Sequence, residues 1–307
     1  MKNEIGVNGL GWYHETNPNY AKKLLRMFNL DGKNATPVYT PALKQKLEEE
    51  NAAVPLDMGE HGSYRSAGGL GLYTAKAQAG AEVRDQGDPA RGRRPDEHDD
   101  VEDEALHPLP FRAPRARNEY RWQRRQDAVQ VKCDSDFAGC VRTRRSTICV
   151  VGLLGQHMLN SLSVTQPNPP ALSTGEAEFN AEIRACVEAI YLKNLLNFFG
   201  HTTKAIVEMD SSAAKGIIGR LGASKKTKHF AVKKLWVQSL VREKIIEVRK
   251  CAGTENEADL GTKAVDCPTM NRLLPKVGIV LLTAAGLPLL GETKTIRPVQ
   301  MMVNMLV

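Results

Sequence analysis

No Cys-x-x-Cys pair occurs in the sequence; its six cysteines stand at 133, 140, 149, 186, 251 and 267, mostly inside apolar runs. Paired-cysteine zinc modules are therefore not expected, and a free cysteine in such a run behaves as a small hydrophobe, which fits a reducing compartment. The N-terminal stretch MKNEIGVNGLGWYHE lacks the apolar core of a secretory signal. The expected location is intracellular, cytoplasmic or nuclear. Long hydrophobic runs are also lacking. VGIVLLTAAGLPLL (277–290) has 14 residues, with two glycines and a proline, and is too short to span a bilayer as a helix. No membrane partner is expected, and no internal repeat is present.

What the chain does have is length and a mild basic excess. Its 307 residues, 42% of them hydrophobic, are enough for one large domain or two small ones. A net charge of +7 leans towards an anionic partner, with nucleic acid the default.

Four segments differ in texture. Residues 1–75 look globular, with helical spacing in YAKKLLRMFNL. In 76–120, RDQGDPARGRRPDEHDDVEDEALHPLP is charged, rich in Pro and Gly, and without apolar period, so it reads as a low-order linker outside any core. Residues 121–268 alternate strand and helix patterns. Residues 269–307 read as an apolar, poorly patterned tail.

The third segment carries the information. DAVQVKCDSDF alternates as a strand, and STICVVGLL and HMLNSLSV follow as two more. A helix is expected over about 174–199, then a short buried strand KAIVEMD and a helix SSAAKGIIGRLG. TKHFAVKKLWVQSLVREK reads as an amphipathic helix with Val232, Leu235, Trp236 and Leu240 on one face. IIEVRKCA is a strand and GTENEADLGTKAV a final helix. The order predicts an α/β fold, a mixed sheet with helices packed on it.

Two glutamates open the long helix. Ser173 and Glu176 have capping-box spacing, which gives Glu176 a structural role. Glu178 lines up at 100° per residue with Ala181, Ala185, Ala189, Leu192 and Leu196, the stripe expected to pack on the sheet. It reads either as a helix-start carboxylate at the edge of that stripe or as an acid aimed at a ligand, because an uncompensated buried carboxylate is costly. Asp134 and Asp136 lie near the end of the first strand, Asp210 ends KAIVEMD, and Asp259 stands in the first turn of the last helix. Each has an ordinary role as a cap or turn acid. Together Asp134, Asp136, Asp210 and Asp259 place four acids at element ends in one domain, an arrangement stable mainly around divalent cations, of which Mg²⁺ prefers carboxylates, water and phosphate oxygens.

DSDFAG, RRST, ALSTGEAEF, MDSSAA, KTKH and NEADLGTK occur in this order and spacing over roughly 130–265. They resemble the ribonuclease H region of Copia-type LTR retrotransposon polyproteins. YAKKLLRMFNLDGKNATPVYTPAL and YRSAGGLGLYTA resemble the end of the family's reverse transcriptase. The resemblance implies a ribonuclease H-like five-stranded mixed sheet at 121–268, preceded by a reverse transcriptase remnant at 1–75. It implies four metal-binding acids at Asp134, Glu178, Asp210 and Asp259, with Asp136 and Glu176 as neighbours outside the core set. It further implies hydrolysis of the RNA strand of an RNA–DNA hybrid, using two Mg²⁺ ions about 4 Å apart, Mn²⁺ being a substitute. No small-molecule substrate is expected, and nothing in the sequence indicates an oligomeric state.

Substrate contacts would fall to Arg142, Arg144, Arg145, Lys225, Lys226, Lys228 and His229, which read equally as a solvated basic face. Residues 126–268 hold 19 Lys and Arg against 15 Asp and Glu, a net of +4.

The chain departs from the family at several points. The Tyr-x-Asp-Asp strand of the polymerase is absent, so DNA synthesis is not expected. Residues 76–120 do not match, as a shifted reading frame or mispredicted exon would produce. Phe137 stands at the usual tryptophan, TQPNPPALS carries extra prolines, and KCAGTENEAD has no histidine. A catalytically dead relic that at most binds nucleic acid is the alternative. An integrase would need an N-terminal His/Cys zinc module, which is absent.

Overall fold

The structure, a computed structural model, describes residues 4–15, 115–140, 143–211, 231–262 and 265–282, with single positions between 19 and 26. Along these residues the chain forms strands β1 (Glu4–Asn8), β2 (Gly11–Glu15), β3 (Arg115–Arg121), β4 (Ala128–Asp136), β5 (Thr147–Leu154) and β6 (His157–Thr165). Helix α1 (Thr174–Phe198), strand β7 (Lys204–Met209), helix α2 (Ala231–Arg242) and strand β8 (Glu247–Lys250) follow. Two 3₁₀ turns (Gly253–Glu255 and Glu257–Gly261) lead to helix α3 (Cys267–Leu273), a third 3₁₀ turn (Leu274–Val277) and strand β9 (Ile279–Leu282).

The sheet that positions the acids has the order β6-β5-β4-β7-β8. Its first three strands pair antiparallel, while β4–β7 and β7–β8 pair parallel. This is the five-stranded mixed sheet expected from the strand and helix order. Parallel pairing needs a crossover between the paired strands, and α1 and α2 supply the crossovers. Because side chains alternate along β4, Val129, Val131 and Cys133 face one way and join Ile148, Val150, Ala205 and Val207 in a core against α1 and α2. The expected α1 stripe is seen: Ala181, Ala185, Ala189 and Leu192 are buried and Leu196 is partly so. Small residues there bring the helix close to the sheet, and Phe179, fully buried, is worth roughly 1.5–3 kcal/mol of burial.

The other face of β5 is covered too. Cys149, Val151 and Leu153 pack against Ala116, Leu260, Met270, Leu273 and Ile279. Strand β9 pairs with β3, which pairs with β2 of the N-terminal hairpin, making a second sheet in the order β1-β2-β3-β9. Two expectations are corrected here. Residues 115–120, placed by their neighbours in a low-order linker, form most of β3, and Ala116 belongs to the core. The start of the apolar tail, up to Leu282, forms β9, because its apolar residues have a sheet face to cover. If so, Leu273→Ala, at a fully buried position, should destabilise the chain by about 2–5 kcal/mol in urea unfolding. A loose tail would show no change.

Two helix expectations also change. Among the described side chains of α2, Val237 and Leu240 are buried; Leu240 is on the face assigned to it, while Leu235 and Trp236 are exposed, and Val232 lies outside the described side chains. The stretch 253–261 forms two short 3₁₀ turns in place of a single α-helix. Side chains of β4 capture this segment at successive points, and local turns follow those anchors. The helix expected in SSAAKGIIGRLG and most of 1–75 and 76–120 lie outside the described residues.

Candidate metal centre

Asp134 stands near the end of β4 and Asp210 directly after β7, on adjacent parallel strands. Parallel strands end on the same edge, where ligand sites of α/β sheets collect. Glu178 enters from the first turns of α1. Ser173 caps that helix, accepting from the Glu176 N–H at 3.2 Å, and the Glu176 carboxylate accepts from the Leu172 N–H at 2.9 Å. Glu176 is thereby used in the cap. Glu178, two residues on, is turned inward: one carboxylate oxygen each from Asp134, Glu178 and Asp210 lie within 4.8 Å of one another.

Three carboxylates this close repel unless a proton or cation intervenes. The donors are all hard oxygens, a set that suits Mg²⁺, Mn²⁺ or Ca²⁺ better than the nitrogen and sulfur ligands zinc favours. The residues present thus fit a divalent cation. Asp134 is buried and accepts a short hydrogen bond from the Thr262 hydroxyl, which leaves the carboxylate fixed in direction.

Asp259 is not one of the three. It is half-buried in the turn Glu257–Gly261, held beside β4 by three successive strand residues. Lys132 pairs with Glu257 at 2.5 Å and donates to the Glu255 carbonyl at 2.9 Å. The carbonyl of Cys133 accepts from the Asn256 amide at 2.9 Å, and Asp134 accepts from Thr262. On the far side Ser163 donates to the Gly261 carbonyl at 2.6 Å, and a side chain at 261 would collide with the Cys149 sulfur, so the approach requires glycine. Ala252 and Gly253 bring the chain past Asp210, where a Cβ on Gly253 would lie 3.1 Å from its Oδ2.

Of the basic candidates, Arg144 is exposed in the β4–β5 connection, in a left-handed conformation (φ 55°). Arg145 is half-buried and donates through Nε to the Gln166 carbonyl at 2.7 Å. Arg142, Lys225, Lys226, Lys228 and His229 lie outside the described residues. Asp136 is used locally, accepting from the Thr147 N–H across the connection.

Sequence reasoning missed Glu182. It lies fully buried one turn after Glu178, and neither carboxylate oxygen has a hydrogen-bond partner among the described residues. Burial first, and the charge of Glu178 second, push its pKa up to about 8. Its i,i+4 relation to Glu178 was a usable signal, since it places a second acid on the apolar stripe. Thr262 and Gln166 were missed as well, and their contacts span 128 and 31 residues, beyond any local pattern.

Over 133 residues, 43% of the chain, the sequence is 32% identical to the retrovirus-related Pol polyprotein from transposon TNT 1-94 of Nicotiana tabacum. Over that stretch the chain is a relative of a retrotransposon Pol polyprotein. The match spans 10% of that protein's length. No protein-family model matches the chain. Among solved structures, LC11-RNase H1, isolated from compost, is 16% identical, with 45% of this chain and 94% of that one covered at a TM-score of 0.35. The N-terminal RNase H domain of rv2228c from Mycobacterium tuberculosis is 17% identical, with 45% and 91% covered at a TM-score of 0.34. The sheet around this Pol-like segment has three antiparallel strands followed by two parallel ones, with helices packed on one face. No helix among the described residues is long and apolar enough to cross a membrane.

Proposed function

We propose that this chain hydrolyses the RNA strand of RNA–DNA hybrids with Mg²⁺ held by Asp134, Glu178 and Asp210, and with Asp259 joining them from the turn beside β4. The observation that carries the proposal is the convergence of three carboxylates from three separate elements within 4.8 Å. A pair of divalent cations, when bound, supplies water activation and neutralises the leaving oxygen. The chain's own residues do the rest. The two strand ends fix Asp134 and Asp210, Thr262 orients Asp134, and α1 brings Glu178 within 4.8 Å of both. Arg144, which is exposed, is proposed to meet backbone phosphates, and such contacts grip without reading sequence. Lys225, Lys226, Lys228 and His229 are proposed for the same role from the sequence resemblance.

One observation favours the alternative, a relic that binds hybrids without cutting them: the group of carboxylates within 4.8 Å of one another holds three of the four acids and not Asp259. The deciding experiment incubates the full chain with an end-labelled RNA–DNA hybrid and Mg²⁺. The expected result is cleavage of the RNA strand alone, stopped by EDTA, with single-stranded RNA untouched. Hybrid binding without any metal-dependent cut would establish the relic.

A further inference from the structure

Gln166, the last residue before the prolines that follow β6, is only 1% exposed. Its side-chain amide nitrogen donates to the Ser135 hydroxyl at 3.1 Å and to the Ala177 carbonyl at 2.9 Å. Ser135 directly follows Asp134, and Ala177 directly precedes Glu178. A single amide group therefore ties the backbone neighbours of two acids that come from different elements, a strand and a helix. The other end of the amide is used as well: its oxygen accepts from the Asn180 side chain at 3.0 Å, one turn along α1. The main chain of Gln166 is clamped in turn. Its N–H donates to the Ser146 carbonyl at 2.7 Å, and its carbonyl accepts from Arg145 at 2.7 Å.

Every donor and acceptor of this buried amide that is engaged points at the frame of the acids, and none points at solvent. A planar carboxamide with bonds at both ends holds a fixed spacing, and an apolar replacement leaves buried partners without bonds. We propose that Gln166 is a positioning residue that sets the separation of Asp134 and Glu178 and so the affinity of the site for a divalent cation. The proposal rests on the metal-binding role given above to those acids. Arg145, assigned from sequence to the nucleic acid, acts at least through its Nε as part of this brace.

The full chain titrated with Mn²⁺ and followed by electron paramagnetic resonance tests this. Gln166→Met keeps the volume and removes both ends of the amide. While still folded by circular dichroism, it is expected to bind Mn²⁺ about tenfold or more weakly, the scale seen when a group orienting a metal ligand is lost. Leu192→Ala, a core truncation farther along α1, supplies the control: it should lower stability and leave Mn²⁺ affinity as in the wild type. Should Gln166→Met fail to fold, Asn180→Ala removes one bond of the brace and should still weaken Mn²⁺ binding measurably. Wild-type affinity in the folded Gln166→Met or Asn180→Ala protein would overturn the positioning role alone. Absence of Mn²⁺ binding by the wild type would overturn the metal site and the positioning role with it.

Discussion

Asp210→Asn is expected to abolish Mg²⁺-dependent cleavage of an RNA–DNA hybrid while leaving hybrid binding intact or slightly tighter. Asp210 directly follows β7, a strand paired in parallel with β4 on one side and β8 on the other, so the sheet fixes its position. The Cys251 N–H donates to the Met209 carbonyl at 2.8 Å and closes the strand end immediately before it. Asparagine keeps the shape and the hydrogen-bonding capacity but removes the charge. The substitution therefore deletes one of three carboxylates within 4.8 Å of one another without disturbing the frame. Cleavage should fall by more than about a hundredfold, beyond the 10–100-fold that losing a merely supporting group costs. Binding rests on basic side chains and phosphates, so removing an acid relieves repulsion of the polyanion and weakens nothing. Cleavage by gel assay and binding by fluorescence anisotropy, at one salt concentration, separate the two effects. Retained cleavage would remove Asp210 from the site.

The part of this arrangement that could be read in advance was local. Capping-box spacing and helical phase separated Glu176 from Glu178, because both depend on residues within one or two turns. Alternation in DAVQVKCDSD and the apolar run KAIVEM marked two strands whose ends carry Asp134 and Asp210. The remainder depended on pairing at a distance. Strand β3 finds its partners about a hundred residues before it, in Gly11–Glu15, and about 160 residues after it, in Ile279–Leu282, and no periodic pattern announces such pairing. The same holds for 253–261. Its acids and small residues suit a helix by composition, yet contacts with Lys132, Cys133 and Asp134 decide its shape. In α2 the apolar stripe pointed to a face with Leu235, Trp236 and Leu240, but of these only Leu240 is buried, and Val237 is buried in place of the other two.

The largest stability effect should come from an acid with no role in the proposed chemistry. Glu182→Leu is expected to stabilise the chain at neutral pH. Both carboxylate oxygens of Glu182 are buried without hydrogen-bond partners among the described residues, inside a helix face otherwise lined with alanine and leucine. An unpaired buried carboxyl is costly even when neutral and far more so when ionised. The pKa of about 8 means that the folded chain keeps this proton from about pH 4.5 upward while the unfolded chain has lost it. Folding then takes up a proton, so stability falls as pH rises through the window from about 4.5 to about 8, at roughly 1.4 kcal/mol per unit, and levels off above it. Denaturant titrations at pH 5, 6, 7 and 8 should show the gap between Glu182→Leu and wild type widening with pH by several kcal/mol in total. Glu182→Gln separates the two contributions: it also removes the ionisation, so its gap to wild type should widen with pH as that of leucine does, but it keeps a buried polar group and lacks the constant gain of leucine. A bound divalent cation would offset the charge of Glu178 and shift Glu182 downward, so Mg²⁺ should flatten the wild-type pH dependence and leave that of Glu182→Leu unchanged. A wild-type gap that does not widen with pH would mean that Glu182 is ionised and paired in the folded chain.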